Sequence, residues 1–222
     1  MPDERPTVAP LVALLPIVAQ IVALLLLGSV LVRPGTEDAF FSPAFGVTLL
    51  GSYAVLVAAT LHVARSAGPI AAVLALGRTP FWPAAGLIAA GSVAAGVAAQ
   101  LLEPLFHGIR DQDIAPGRSP GGTTAAIGVT LVVIGIAIVG PVAEELYFRG
   151  VVQGSLGRFG TAIAIAGSSA LFAAAHFQPS AIPVIAVYGV VLAVIRARTR
   201  STWPGIVMHV LNNAFVVALA LA

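Results

Sequence analysis

The sequence contains one short stretch, residues 140–150, in which two carboxylates and an arginine follow a long apolar run. The stretch reads GPVAEELYFRG. An unpaired charge at the centre of a membrane helix costs roughly 2.5 to 3.5 kcal/mol, so Glu144, Glu145 and Arg149 must be paired, lie at an edge or serve a function. On a helix Glu145 and Arg149 share a face with the acid first, which favours an ion pair. Glu144 lies about 100° away around the helix and stays free for other chemistry.

Two further patterns with helical i, i+4 spacing follow later in the chain, Phe172-x-x-x-His176 and His209-x-x-x-Asn213. Residues at this spacing share a helix face, so each pattern can present polar side chains to one cavity. A carboxylate, two imidazoles and an amide can form a hydrolytic site. Glu144 would be its general base, and His176 would help to hold or deprotonate the water. His209 and Asn213 would donate hydrogen bonds to the developing oxyanion.

The composition defines the class of protein. The chain has 222 residues, of which 59% are hydrophobic and 9% charged, and its mean hydropathy is +1.01, so it is predicted to be an integral membrane protein. A net charge of +2 gives little support for binding nucleic acid. The absence of cysteine excludes disulfides and thiolate chemistry. All 11 basic residues are arginine, a bias that, with the compact chain, suggests a bacterium or archaeon.

Apolar segments of membrane-spanning length predict an all-α, polytopic protein with about seven transmembrane helices. Residues 1–222 form a single integral membrane domain in this interpretation, and residues 123–222 hold the catalytic helix bundle. An interfacial loop is expected at 65–83 and the longest polar loop at 107–122. The predicted spans are 8–32, 44–64, 84–106, 123–156, 161–177, 181–195 and 203–222, of which the fifth and sixth are short.

The arginines also predict an orientation in the cell membrane. With a cytoplasmic N-terminus, the inner loops carry seven arginines and the outer loops three. The positive-inside rule therefore favours a cytoplasmic N-terminus, with Glu144 near the cytoplasmic end of its helix. The inner set is Arg5, Arg65, Arg78, Arg158, Arg196, Arg198 and Arg200, and the outer set is Arg33, Arg110 and Arg118.

The three patterns together resemble a known family. E-E-x-x-x-R, F-x-x-x-H and H-x-x-x-N, in that order on successive hydrophobic segments, are similar to the three motifs of the CPBP intramembrane proteases, also called the CAAX protease and bacteriocin-processing or Abi family. The resemblance covers about residues 141–215, and all three motifs are complete. It implies a glutamate-dependent membrane endopeptidase related to the Ras-converting enzyme, which removes the last three residues of prenylated CAAX proteins.

The resemblance implies a role for each motif residue. Glu144 matches the catalytic base, with His176 beside it, and His209 and Asn213 match the residues taken to stabilise the oxyanion. The ion pair of the first motif is likewise a feature of the family. The expected partners are membrane lipid and a peptide or prenylated protein substrate.

A metal site is the main chemical alternative. The family is often labelled as metalloprotease, yet activation of water by glutamate and histidine without a metal is also proposed for it. Glu144, His176 and His209 could supply the three protein ligands of an open zinc site. Asn213 fits a hydrogen-bond donor better than a metal ligand, which favours the metal-free interpretation. The sequence therefore predicts no firm cofactor and keeps zinc as the alternative.

Two other classes of function remain open at this stage. Buried Glu, His and Arg side chains also occur in the relays of proton- or ion-coupled transporters. A non-catalytic membrane scaffold or immunity protein could keep the motifs as contacts between helices. The polar residues concentrate in the three C-terminal motifs, and the first three spans are almost free of charge. That distribution favours the endopeptidase over the transporter.

Overall fold

The computed structural model describes residues 6–32, 40–106 and 123–221. Every regular element in these ranges is helical, and six of the helices are long and apolar enough to cross a membrane. The predicted all-α, polytopic architecture is therefore confirmed. In chain order the helices are α1 (Leu15–Leu31), α2 (Pro43–Ala67), α3 (Ile70–Val73), α4 (Phe81–Phe106), α5 (Thr123–Phe159), α6 (Thr161–Ala174), α7 (Ile182–Thr199) and α8 (Trp203–Leu221).

The predicted fifth span is the shorter helix α6. It has 14 residues, whereas a helix needs about 20 to cross the apolar core of a bilayer. It packs against α7 and against the C-terminal part of α5. The segment 65–83, expected as a loop, contains the end of α2, all of α3 and the start of α4.

Part of the predicted organisation lies outside the described residues. This applies to residues 1–5, to positions 33–39 of the first predicted turn and to the polar loop 107–122. Four of the arginines behind the predicted orientation fall there, namely Arg5, Arg33, Arg110 and Arg118. The cytoplasmic N-terminus therefore stays a prediction.

The central element is α5, which is not a uniform α-helix. Wider π-helical turns occur at Gly135–Val139 and at Glu145–Val152. In the first of these, the amide of Gly140 bonds to the carbonyl of Gly135, and Pro141 has no amide hydrogen to offer the next carbonyls. The carbonyl of Ile136 is therefore left for a partner outside the helix. Turns of this kind are frequent at functional sites.

Helix α5 lies between the two sides of the bundle. On one side α1 packs on α2, and α2 packs along α5. On the other side α4 packs on α7 and α8, while α8 lies against the irregular part of α5. Residues of α5 and α8 are therefore brought together although they are distant in sequence, and α2 contributes from the opposite side.

The start of α8 is fixed by hydrogen bonds to the loop after α3. The Thr202 amide and hydroxyl donate to the carbonyls of Ala75 and Leu74, at 2.9 and 2.7 Å. The hydroxyl of Ser201 donates to the carbonyl of Gly77 at 2.7 Å. These bonds satisfy main-chain acceptors that no helix covers, and they set the position from which α8 enters the bundle.

Candidate active site

The predicted pair Glu145 and Arg149 lies in the second π-helical segment of α5, where both side chains are fully buried. Arg149 Nε lies 3.4 Å from Glu145 Oε2, and the guanidinium stands over the ring of Phe172 at 4.9 Å from its centroid. Neither terminal nitrogen of Arg149 has a hydrogen-bond partner among the described residues. The contact with the aromatic face therefore adds to the electrostatic stabilisation of the Arg149 charge, which is buried away from water.

Glu144 differs from its neighbour in exposure. Its side chain is 14% exposed, whereas that of Glu145 is 0% exposed. The hydroxyl of Tyr53, from the middle of α2, donates a 2.8 Å hydrogen bond to Glu144 Oε1. Of the two adjacent acids, Glu144 is therefore the one that water or a substrate can reach.

His209 of α8 lies between the two acids. Its Nδ1 is 3.3 Å from Glu145 Oε1, and its Nε2 is 3.9 Å from Glu144 Oε2. A carboxylate oxygen accepts, so Nδ1 is the donor in the first contact. The whole residue is 3% exposed, so it is buried within the bundle.

Close packing of α8 against α5 depends on Gly205, one turn before His209. A Cβ atom at this position would lie 2.7 Å from Glu145 Oε2. The absence of a side chain therefore lets the buried carboxylate reach the face of α8 that carries His209. The bonds of Thr202 to the preceding loop hold this turn in place.

His176 lies just beyond the end of α6. Its Nδ1 is 2.8 Å from the carbonyl of Phe172; a carbonyl accepts, so Nδ1 donates and closes one of the last main-chain acceptors of the helix. The Phe172 ring lies between the two histidine rings, with centroid distances of 4.8 Å to His176 and 5.7 Å to His209. His176 is partly exposed, and its Nε2 is directed away from this cap.

Asn213 lies one turn after His209 on α8. Its amide nitrogen donates a 3.0 Å hydrogen bond to the carbonyl of Ile136. This is the carbonyl that the π-helical turn and Pro141 leave without a helical donor. The side chain that meets it is therefore a residue of the third motif.

Two tyrosines beside the cluster were missed by sequence reasoning. Tyr53 reaches Glu144 from α2, and the Tyr188 ring on α7 lies 5.3 Å from that of His209. One signal existed for Tyr53, because tyrosines of membrane helices favour the interfaces and this one lies near the middle of an apolar span. The same signal existed for Tyr188, which lies in the middle of the predicted span 181–195.

The arrangement also bears on the alternative metal site. Zinc through Glu144, His176 and His209 would require the three side chains to converge on one point. In the ranges that the structure describes, no three His, Asp or Glu side chains have the arrangement of a metal site. The reaction proposed for this site therefore uses only side chains of the protein itself. The zinc site stays a prediction, which a chelation experiment can test.

The fold and this cluster define a polytopic helical membrane protein with a buried acid–histidine site. Residues 126–215 match the family described as "Type II CAAX prenyl endopeptidase Rce1-like". Over 111 residues the chain is 33% identical to "Putative membrane peptidase YdiL" of Bacillus subtilis (strain 168), an alignment of 47% of this chain and 45% of that protein. The chain thus spans less than half the length of this curated relative. No solved structure matches the chain.

The matched segment contains all three motifs, and both matched descriptions name peptidases. The resemblance of this chain to the CPBP intramembrane protease family is therefore confirmed. The comparisons support a membrane protease as the general class of activity.

Proposed function

We propose that this protein is an intramembrane endopeptidase that hydrolyses a peptide bond with water activated by Glu144. The observation that carries the proposal is the position of His209 between a reachable and a buried acid. The 3.9 Å separation of Glu144 Oε2 and His209 Nε2 is too long for a direct hydrogen bond. It lets one water oxygen lie within hydrogen-bond distance of both atoms, donating to Glu144 Oε2 and accepting from His209 Nε2–H.

The proposed reaction follows from these positions. Glu144 Oε2 takes a proton from the water as its oxygen bonds to the carbonyl carbon, and the carbonyl oxygen becomes an oxyanion. His209 Nε2–H stabilises that negative charge. When the intermediate collapses, the carbon–nitrogen bond breaks and the proton on Glu144 passes to the leaving amine. The products are a peptide with a new carboxylate and a peptide with a new amine.

The proposed charges of the cluster balance. Nδ1 of His209 donates to Glu145, so donation from Nε2 as well requires the imidazolium form. With His209 and Arg149 positive and Glu144 and Glu145 negative, the formal sum is zero. A neutral set of paired charges is the form in which ionisable groups are tolerated within apolar surroundings.

His176 and Asn213 complete the proposed site from its two sides. With Nδ1 of His176 bound to the carbonyl of Phe172, its Nε2 is available to orient the attacking water or the leaving amine. Asn213 has one amide hydrogen beyond the one given to Ile136, which would assist the oxyanion. Its contact with α5 fixes the face of α8 on which His209 lies.

The substrate is proposed to be a peptide segment associated with the membrane, and a prenylated CAAX-type terminus is its narrower form. This rests on the description of the matched family and on the apolar helices around the site. The proposed location is the cell membrane, with a cytoplasmic N-terminus.

The test is cleavage of quenched peptides by the purified protein in detergent. A farnesylated CAAX-type peptide and its unprenylated counterpart are compared for the wild type, Glu144→Gln and Glu103→Gln. Glu144→Gln keeps an oxygen for Tyr53 but removes the base, so a loss of about 10²- to 10⁴-fold is expected. Glu103 lies on α4 and serves as the control acid.

Each arm of this experiment has a definite meaning. A chelator should leave the rate unchanged if Glu144 activates water without a metal, whereas loss restored by zinc would favour the metal alternative. Faster cleavage of the farnesylated peptide would establish the narrower substrate. Cleavage by Glu144→Gln at the wild-type rate, or no cleavage of any membrane-associated peptide, would overturn the proposed function.

A further inference from the structure

Tyr53 makes a contact between α2 and α5 that none of the three sequence motifs predicts. Its hydroxyl donates to Glu144 Oε1 at 2.8 Å across a sequence separation of 91 residues. We propose that Tyr53 is a positioning residue, which holds the Glu144 carboxylate so that Oε2 faces His209 and the attacking water. This inference rests on the function proposed above, since it assigns to Tyr53 the orientation of the proposed base.

Close packing of α2 and α5 holds the tyrosine at this place. A Cβ atom on Gly140 would lie 2.8 Å from both Cζ and the hydroxyl oxygen of Tyr53. One turn away, a Cβ on Gly135 would lie 2.8 Å from the Leu49 side chain. Glycines of α5 thus face side chains of α2 on successive turns, and the hydroxyl approaches Glu144 only because position 140 has no side chain.

The hydrogen bond gives the two oxygens of the Glu144 carboxylate different partners. Oε1 accepts from Tyr53, and Oε2 is the oxygen that faces His209 Nε2. Without the hydroxyl, the carboxylate plane of Glu144 would be free to turn about its terminal bond, and no oxygen would be held facing the water.

The ionisable groups around Glu144 come from four helices. Tyr53 belongs to α2, His209 to α8 and Tyr188 to α7, while α5 itself supplies the neighbouring pair. The full set is Tyr53, Glu145, Arg149, Tyr188 and His209. Among these groups Tyr53 has the hydroxyl that hydrogen-bonds to the acid itself, so its removal isolates one interaction.

Tyr53→Phe is the direct test, because it keeps the ring and removes only the hydroxyl. We expect kcat on the cleaved peptide to fall about 10- to 100-fold, the usual effect of losing a hydrogen bond to a charged group. KM should change less than about twofold, because Tyr53 acts on the base rather than on the substrate.

The matched control is Tyr147→Phe. Tyr147 lies on α5 and is buried, and its ring packs on Phe148 at a centroid distance of 4.7 Å. Removing this hydroxyl should leave kcat and KM near the wild type. Wild-type kcat in Tyr53→Phe would overturn the assignment, even if Glu144→Gln is inactive.

A second measurement does not depend on turnover. Dicyclohexylcarbodiimide modifies protonated carboxyl groups in apolar surroundings, and mass spectrometry locates the adduct. At a given pH, Glu144 should be labelled faster in Tyr53→Phe than in the wild type or in Tyr147→Phe, and not at all in Glu144→Gln. Equal labelling rates in Tyr53→Phe and the wild type would overturn the contact, whatever the outcome of the peptide assay.

Discussion

The side-chain amide of Asn213 donates a 3.0 Å hydrogen bond to the main-chain carbonyl of Ile136. This carbonyl lacks a helical donor because the amide of Gly140 bonds to Gly135 and Pro141 has no amide hydrogen. A polar residue of α8 thus closes a gap in the hydrogen bonding of α5 on the turns that precede Glu144. The irregular backbone and the motif residue belong to one arrangement that fixes α8 against the site.

This relationship predicts that the effects of Asn213→Ala and Pro141→Ala on stability are coupled. Asn213→Ala alone leaves the carbonyl of Ile136 without its donor, so the free energy of unfolding should fall by about 1 to 3 kcal/mol. With Pro141→Ala the chain gains an amide hydrogen in this turn, and Asn213→Ala should then cost less. The free energies of unfolding of the wild type, the two single variants and the double variant, measured in the same mixed micelles, give the coupling.

Asn212→Ala is the control for this cycle, because Asn212 is the neighbouring asparagine on the same helix. Its substitution should cost less than that of Asn213 and should be independent of residue 141. Strictly additive effects of Asn213→Ala and Pro141→Ala would contradict the proposed pairing with the freed carbonyl.

Local spacing in the sequence was sufficient for the parts of the site that lie within one helix. The i, i+4 spacing predicted the pairing of Glu145 with Arg149, and both side chains are in contact and buried. The helical class and most span boundaries followed from apolar runs of sufficient length.

The remaining contacts depend on tertiary packing, which leaves no local pattern. Tyr53 meets Glu144 across two helices, and Asn213 meets a main-chain carbonyl rather than another motif residue. The small residues of α4 show the same limit. Gly91 packs against side chains of α7 and α8, whereas a Cβ on Gly86 or Gly96 would have no neighbour within 4 Å among the described residues. The spacing of small residues identifies positions at which another helix could approach closely. The packing of the partner helix determines at which of them a close contact forms.

Gly205→Ala is predicted to disturb the buried ion pair. The added Cβ would lie 2.7 Å from Glu145 Oε2, so the carboxylate must move away from Arg149 or His209. We expect a loss of about 1 to 3 kcal/mol in the free energy of unfolding, together with lower peptidase activity. Thermal unfolding in detergent and the peptide assay measure the two effects.

Gly96→Ala is the matched substitution at an open position of α4. There the same methyl group has no neighbour within 4 Å in the part of the chain that the structure describes, and alanine favours a helix by about 1 kcal/mol over glycine. Its stability should equal or exceed that of the wild type. If the two variants lose stability equally, the close contact at Gly205 is not the cause.

Neutralising both members of the buried pair should cost less than the sum of neutralising each one alone. Arg149→Met leaves Glu145 without its cation, and Glu145→Gln leaves the guanidinium without its acid. Breaking a buried pair from one side typically costs about 3 to 5 kcal/mol. The double variant should be less destabilised than the sum of the two, because it leaves no uncompensated charge. Unfolding of all four proteins in one detergent gives the coupling energy, and a coupling near zero would show that the two charges do not depend on each other.

His176 is predicted to have two separable roles, because one ring nitrogen caps α6 and the other is free for chemistry. His176→Ala removes both, so it should lower the free energy of unfolding by about 1 kcal/mol and abolish cleavage. His176→Gln keeps an amide that can donate to the carbonyl of Phe172 but has no imidazole, so it should recover stability without recovering activity. Thermal unfolding and peptide cleavage are measured on the same preparations.

The control is His62→Ala, at an exposed histidine of α2, which should leave stability and cleavage unchanged. Cleavage by His176→Gln at the wild-type rate would reduce His176 to a helix cap and leave Glu144 and His209 as the reacting groups.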